Sequence, residues 1–320
     1  MKVDIGIANN GRILYPPVLD GVKVEWQRRA AGKMTFELAS EDALQIAEGN
    51  RAQLQIDGKN MFLGFITRIA RSKAPVWKIT AMDSTWYLIR NKDTYNYQNK
   101  TPTQVIRMVA DDYQLSCGQL AETGYTIKSR CEQDTSLMDI ILNALDEAMT
   151  YTKQMHILYD DNGLLTLKPL AAMQLPLLID ADTAEDYDFS SSIEDGVYNK
   201  IKIVHEDTKA GKRSIYIAQD SGNIAKWGVL QLTDKVQTRA TAQPKANGLL
   251  SLYNRPKRLF TVKDALGDPR VRGGSLLGCV MDLGMQKVMQ NLIVDSVAHE
   301  FTNEQHLMKS LKLWGGPFSV

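Results

Sequence analysis

"SVAHEFTNEQHLMKSLKLW" runs from Ser296 to Trp314, and its reading decides between a metal-dependent hydrolase helix and the closing hairpin of a sheet. A zincin helix sets two histidines four residues apart, so that both reach one metal at about 2.1 Å with a glutamate beside them. His299 and His306 are instead seven positions apart, which on a helix separates them by roughly 10 Å along the axis. The run from Leu292 to Phe301 alternates apolar and polar residues, the period of a strand. With Asn303-Glu304 as the turn, His306 falls opposite Phe301 and diagonal to His299 on the same face. Two ligands without a third make no zinc site. We therefore expect His299, Glu300 and His306 to be polar residues near a hairpin end, with no metal and no cofactor.

That strand has an echo. "FITRIAR" at Phe65–Arg71 and "IVDSVAH" at Ile293–His299 share one apolar pattern, each preceded by an alternating strand and by a glycine, Gly49 or Gly274. The repetition predicts two copies of one β domain. Around the first copy, "VKVEWQ" puts Val22, Val24 and Trp26 on one face, "RAQLQIDGKNMFLGFITRIAR" reads as a hairpin turned at Asp57-Gly58, and "VWKITAMD" is a further strand. The period changes after about Tyr95. Thr101, Pro102 and Gln104 supply an N-cap, an N1 proline and a capping-box partner for a helix with Val105, Ile106, Val109 and Tyr113 on one face. A second helix starts near Ser136 and carries Leu137, Ile140, Ile141, Ala144, Leu145 and Ala148. "HILYDDNGLLTLKP" is a hairpin turned at Asn162-Gly163. Strands return in "SIEDGVYNKIKIVHED" and "KRSIYIAQD". An amphipathic helix follows from about Asp234 to Asn254, with a break expected at Pro244. The expected class is mainly β with an α+β insert: β at 1–95, α+β at 96–185 and β at 186–320.

Composition narrows the function. Among 320 residues, 38 basic and 37 acidic side chains give a net charge of +1, so no bulk field recruits nucleic acid or an anionic membrane. No signal peptide and no run of about 18 apolar residues are evident, so we expect folding in the cytosol and no stable membrane insertion. Cys117, Cys131 and Cys279 are odd in number and widely spaced, which predicts buried free thiols. The carboxylate pairs Asp160-Asp161, Glu194-Asp195 and Asp180/Asp182 fall where turns are expected and read as turn chemistry rather than a glycosidase pair. No nucleophile elbow, P-loop or dinucleotide motif is present. Basic clusters at Arg28-Arg29, at Arg255, Lys257 and Arg258, and at Arg270 and Arg272 are interleaved with acids. They read as solvated faces or interface rims, with no nucleic-acid specificity, and Trp26 and Tyr253 as core or interface aromatics.

Several phrases, taken in order, resemble the baseplate or tail-hub proteins of contractile phage tails and of PBSX-like defective prophages, related to the T4-like hub. "MTFELA", "EGNRAQLQIDGKNMFLGFIT" and "AMDSTWYLIRNKDTYNYQNKTPTQVI" resemble that family's first module, including the strand end at Asp83. "SIEDGVYNKIKI", "KWGVLQ", "ALGDPRVRGGS" and "SVAHEFTNEQHLMKSLKL" resemble its second. The resemblance implies two tail-tube-like antiparallel β-barrel domains per chain and a homotrimer whose ring fits a hexameric tail tube on one side and a trimeric spike on the other. Implied partners are further copies of this chain, the tail tube or tube-initiator protein, the central spike and other baseplate proteins, with the tape measure as a further candidate. The implied location is a phage virion or tail-like particle assembled in the host cytoplasm. No enzyme is implied. The competing classes are a tail-associated peptidoglycan hydrolase using Glu194, Asp195 or His299, a glycan-binding β module, and a tailocin hub.

Overall fold

Alternation builds the first sheet from β1 (Val3–Asn9), β2 (Arg12–Leu14), β3 (Val22–Gln27), β4 (Lys33–Ala39), β5 (Arg51–Ile56), β6 (Lys59–Arg71) and β7 (Val76–Met82). In β3, Val22, Val24 and Trp26 are buried while Lys23 and Gln27 face solvent. The computed structural model describes the chain apart from residues 10, 20, 40–45, 72–75, 181–182, 184–185, 195, 208–211, 237–238, 283–286 and 316–320. Asp57 and Gly58 join β5 to β6 with φ of 48° and 76°, the left-handed pair that a two-residue hairpin demands.

Next come α1 (Thr85–Arg90), β8 (Lys92–Lys100), α2 (Pro102–Asp112), β9 (Cys117–Leu120), β10 (Ile127–Ser136), α3 (Leu137–Thr152), β11 (His156–Asp161) and β12 (Leu164–Pro169). The capping box at α2 forms as the sequence predicts: Gln104 N donates to Thr101 Oγ1 at 3.3 Å and Thr101 N donates to Gln104 Oε1 at 2.9 Å. Val105, Ile106 and Val109 of α2 pack with Leu137, Ile140 and Ile141 of α3 in a core of their own.

The remainder holds β13 (Gln174–Ile179), β14 (Asp186–Ser192), β15 (Lys200–Asp207), β16 (Lys212–Gln219), α4 (Ser221–Trp227), β17 (Gln231–Val236), α5 (Ala242–Tyr253), β18 (Lys257–Leu266), β19 (Leu276–Asp282), β20 (Lys287–Phe301) and β21 (His306–Gly315). The expected helix from Asp234 is corrected, because Asp234 lies in β17 and the helix begins at Ala242. Pro244 then sits in its first turn, where the missing N–H costs nothing and no break follows. β15, β16 and β17 form a separate sheet, and Ile201, Ile203 and Ala218 pack with Ala242 and Ala246 in a distinct small core.

β8 with β10, and β9 with β11 and β12, make two small sheets of their own, and the remaining thirteen strands join one sheet in the order β14-β18-β21-β20-β3-β4-β7-β6-β5-β1-β2, with β19 on β20 and β13 on β19. Its seam is the antiparallel pairing of β20 with β3, Ser296 opposite Gln27 through Phe301 opposite Val22. Phe36, Leu54 and Ile79 from one side of this seam share a core with Phe260, Val297 and Leu311 from the other. The expected closed barrels are therefore corrected: among the described residues the sheet is open. The edge of β3 that closure would use is taken by β20.

The echo is structural. In β6, Gly49 N donates to Ile66 O and Ile66 N to Asn50 O, both at 2.8 Å; in β20, Gly274 N donates to Val294 O and Val294 N to Ser275 O, also at 2.8 Å. Both glycines have positive φ, 87° and 93°, which an L side chain adopts only with strain. A register shift follows each anchor, between Ile66 and Arg68 against β7 and between Val294 and Ser296 against β21. Each hairpin pair is extended the same way, by β4 and β3 beyond β7 and by β18 and β14 beyond β21. The copies differ at one end, where β1 runs antiparallel to β5 but β13 runs parallel to β19.

Candidate assembly surfaces and the residues between them

The terminal hairpin has the expected register, with Phe301 opposite His306. Both histidines turn inward and meet, His299 Nδ1 lying 2.8 Å from His306 Nε2. His299 Nε2 is 2.8 Å from Val271 O, and a carbonyl only accepts, so Nε2 carries the proton and Nδ1 accepts from His306. Both ring nitrogens of His299 are thus used inside the protein. Burial, then the neighbouring His306, pushes His299 down to about 3; burial holds His306 near 4. Glu300 faces outward and pairs with Lys23 at 3.1 Å. Among the described residues no three His, Cys, Asp or Glu side chains are grouped to hold a metal.

The carboxylate pairs disperse. Glu194 N donates to Ser192 Oγ at 3.0 Å and Thr183 N to Asp180 Oδ1 at 3.0 Å, both local turn contacts. Asp182 and Asp195 lie outside the described residues. Asp161 is exposed, but Asp160 is buried, and its neighbour is a residue that the turn reading did not pair with it, Asp83. Asp83 Oδ2 accepts from Gly32 N at 2.8 Å, and Asp160 Oδ1 accepts from Gly163 N at 2.7 Å. Burial first and Asp160 second push the Asp83 carboxyl up to about 7. Arg272 closes this junction: its Nη1 donates to Asp160 O at 2.9 Å, and its guanidinium lies 4.8 Å from the Trp26 ring and 4.5 Å from that of Tyr159. It ties β11 to the seam between the β modules. The expectation of buried thiols holds for Cys279, whose thiol is pushed up to about 11, and is corrected for Cys117, which is half-buried, and for Cys131 on β10, which is exposed.

Two non-equivalent apolar surfaces lie far apart along the strand order. At one end, β2 carries Ile13 and is followed by Tyr15, 63% exposed. Near the other, Val280 of β19 stands opposite Met289 of β20, which is 81% exposed, with Leu178 of β13 alongside opposite Gly278. Following the strand pairing outward from Ile66 and Val294 puts Gln53 and Gln55 where Gly278 and Val280 stand and, across the register shift between Leu54 and Gln55, Asn60 where Met289 stands. That face is polar in the first copy, with Gln53 and Gln55 amides donating to Asn60 Oδ1 at 2.5 and 2.9 Å. Sequence reading missed this contrast, because it needs the two hairpins superimposed. Among the strand edges open in the described residues are the outer edge of β14 and the edge of β6 beyond Ile66, which corresponds to the edge of β20 that β3 occupies.

Known proteins share this architecture. The prophage MuSo2 43 kDa tail protein of Shewanella oneidensis superimposes with a TM-score of 0.72 at 15% identity, covering 98% of each chain. An E. coli component of the type VI secretion system, described as structurally similar to the T4 tail proteins gp27 and gp5, matches with a TM-score of 0.60 at 11% identity, over 100% of this chain and 77% of that one. At these identities the likeness is one of fold. In sequence, the phage-like element PBSX protein XkdQ of Bacillus subtilis is 28% identical over 295 residues, 91% of this chain and 89% of its own length. The YQBQ-like family profile matches residues 22–313, and with nearly the whole duplicated sheet inside that match, the chain belongs to the YQBQ-like family.

Proposed function

We propose that this chain is a structural protein of a phage tail or baseplate and, within it, the hub: a homotrimeric ring that adapts a hexameric tail tube to a trimeric central spike. The observation that carries the reading is the duplicated β module, with its matched glycines and register shifts. Three chains with two modules each present six similar units, which a six-fold tube can meet while a three-fold spike meets the chains. In this reading residues 1–95 and 186–320 contain the ring modules, the unit at 96–185 lies outside and meets neighbouring baseplate proteins, and no substrate is turned over. The tube or tube-initiator protein and the spike are the partners on the two faces. XkdQ, named for a phage-like element, supports the setting.

The seam inside the chain supplies a template for the joint between chains. β3 pairs with β20 beyond its glycine-anchored residue, so by equivalence β14 of one copy pairs with β6 of the next. Following the observed registers, Ala298 opposite Glu25 becomes Ala70 opposite Ser190. In that register Arg71 on β6 falls opposite Phe189, next to Asp188 of β14, and adding a strand satisfies both open edges. Such a joint is heterologous and closes only as a ring. The test is an Ala70→Cys/Ser190→Cys variant in a Cys131→Ser background, with light scattering of the unmodified protein across a dilution series. A mass of three chains and a disulfide-linked trimer are expected. A protein that stays monomeric, even when mixed with the purified tube protein of its own tail, would overturn the reading.

A further inference from the structure

Two basic clusters far apart in the sequence, Arg28-Arg29 and Arg255 with Lys257, line one cleft of about 290 Å³. Arg28 and Arg29 come from the turn after β3, Asp146 and Met149 from α3, Leu252 and Tyr253 from the end of α5, and Trp314 from the end of β21. Arg29 is neutralised by a two-pronged ion pair with Asp146. Arg28 is not matched as well. Its guanidinium lies 4.9 Å from the Trp314 ring centroid, and its Nε is buried without a hydrogen-bond partner, 3.5 Å from the nearest Asp295 oxygen. Burial first and the adjacent Arg29 second lower its proton affinity, against the opposing pull of Asp295 and Asp146. Arg255 donates to Ser251 O at 3.0 Å, and among the described residues neither Arg255 nor Lys257 has an ion pair. Gly196, at a φ of 64°, leaves room for the Lys257 ammonium, since a Cβ there would come within 2.8 Å of Lys257 Nζ.

We infer that this cleft binds an acidic, carboxylate-bearing peptide segment of a neighbouring protein. The charge asks for an anion, because four cations face only Asp146 and Asp295. The shape asks for a chain rather than a lone ion. Met149, Met155, Leu252 and Pro256 give the cleft an apolar floor, and it continues past Met149 and Tyr253 into a second groove of about 510 Å³ between α3 and β17. An extended segment with carboxylates at the Arg255 and Lys257 end and apolar side chains along the floor fits the cleft, and its continuation would lie in a groove lined by Lys128, Lys235 and Lys245 as well as Glu147 and Asp234. Only the identity of the partner as a tail protein rests on the proposed function.

The probe is fluorescein-labelled hexaglutamate, titrated by fluorescence anisotropy into the full-length protein at low and at physiological salt. Saturable binding is expected, weakened by salt and unaffected by equimolar inorganic phosphate. An Arg255→Gln/Lys257→Gln variant should bind about tenfold more weakly. A Lys59→Gln/Lys212→Gln variant removes the same charge at exposed sites outside the cleft and should bind as the wild type does. No binding to the wild type, equal loss in both variants, or displacement by phosphate would overturn the inference. The measurement does not depend on ring formation, so its failure leaves the hub reading standing, and a monomeric protein that binds leaves this inference standing.

Discussion

Lowering the pH from 7 to 5 should destabilise the fold through the buried histidine pair. His299 is 1% exposed and pushed down to about 3, and His306 is held near 4, whereas an unfolded histidine titrates near 6.5. Between these values the unfolded chain binds protons that the folded chain does not. Stability is therefore full above about pH 6.5 and falls as the pH drops towards the folded values. At pH 5 this amounts to about 2 kcal/mol for each histidine, and discounting His306 for its partial exposure leaves about 3 kcal/mol for the pair. Asp83 works in the opposite direction. Its folded carboxyl titrates at about 7, above the unfolded value near 4, so it adds stability as the pH falls. A His299→Gln/His306→Gln variant separates the two effects, because glutamine does not titrate. Urea unfolding followed by tryptophan fluorescence reads Trp26, whose ring centroid is 5.4 Å from that of His299. The double substitution should cost about 3 kcal/mol less at pH 5 than at pH 7. An equal cost at both, or a larger one at pH 5, refutes the reasoning; the single His306→Gln variant should show a smaller part of the effect.

The two anchor glycines should respond unequally. Gly274→Ala forces a Cβ to within 2.3 Å of Ile157 Cγ2 at a φ of 93° and should cost about 3 kcal/mol in thermal unfolding. Gly49→Ala meets nothing within 4 Å and should cost only about 1 kcal/mol for its φ; matching losses would contradict the packing described. Thr101→Ala should remove about 1 kcal/mol and speed amide exchange in the first turn of α2, since Gln104 N loses its acceptor. Val280→Lys/Met289→Lys should leave folding stability within about 0.5 kcal/mol, both side chains being exposed. The same variant should sharply reduce incorporation into tail particles, and normal particle yield would show that this face is not covered on assembly.

Local chemistry made much of the fold legible. Asp57-Gly58 and Asn162-Gly163 specify their hairpins because few residues tolerate positive φ at two successive positions, and both turns form. Thr101 and Gln104 mark the start of α2 because a capping box needs only four residues. Pro244 misled for the complementary reason: proline is compatible with a first turn as well as with a break, and the pattern alone did not show where the helix began. The residues singled out as sites were harder. His299 and His306 were assigned a hairpin correctly, but the contact between their rings depends on side chains turning inward towards Val271.

The sequence by itself determined the hairpin turns, the capped start of α2 and the repeated glycine-anchored strand, since each is written in short local patterns. Only the tertiary structure decided that β20 joins β3, that the barrels stay open, that Asp83 meets Asp160, and that Arg28 and Lys257 line one cleft. A strand edge offers the same row of N–H and C=O groups to any partner, so period-two alternation fixes which face is buried but not which strand comes next. That choice is made by the shared core and by Arg272 tying β11 to Trp26 across the seam.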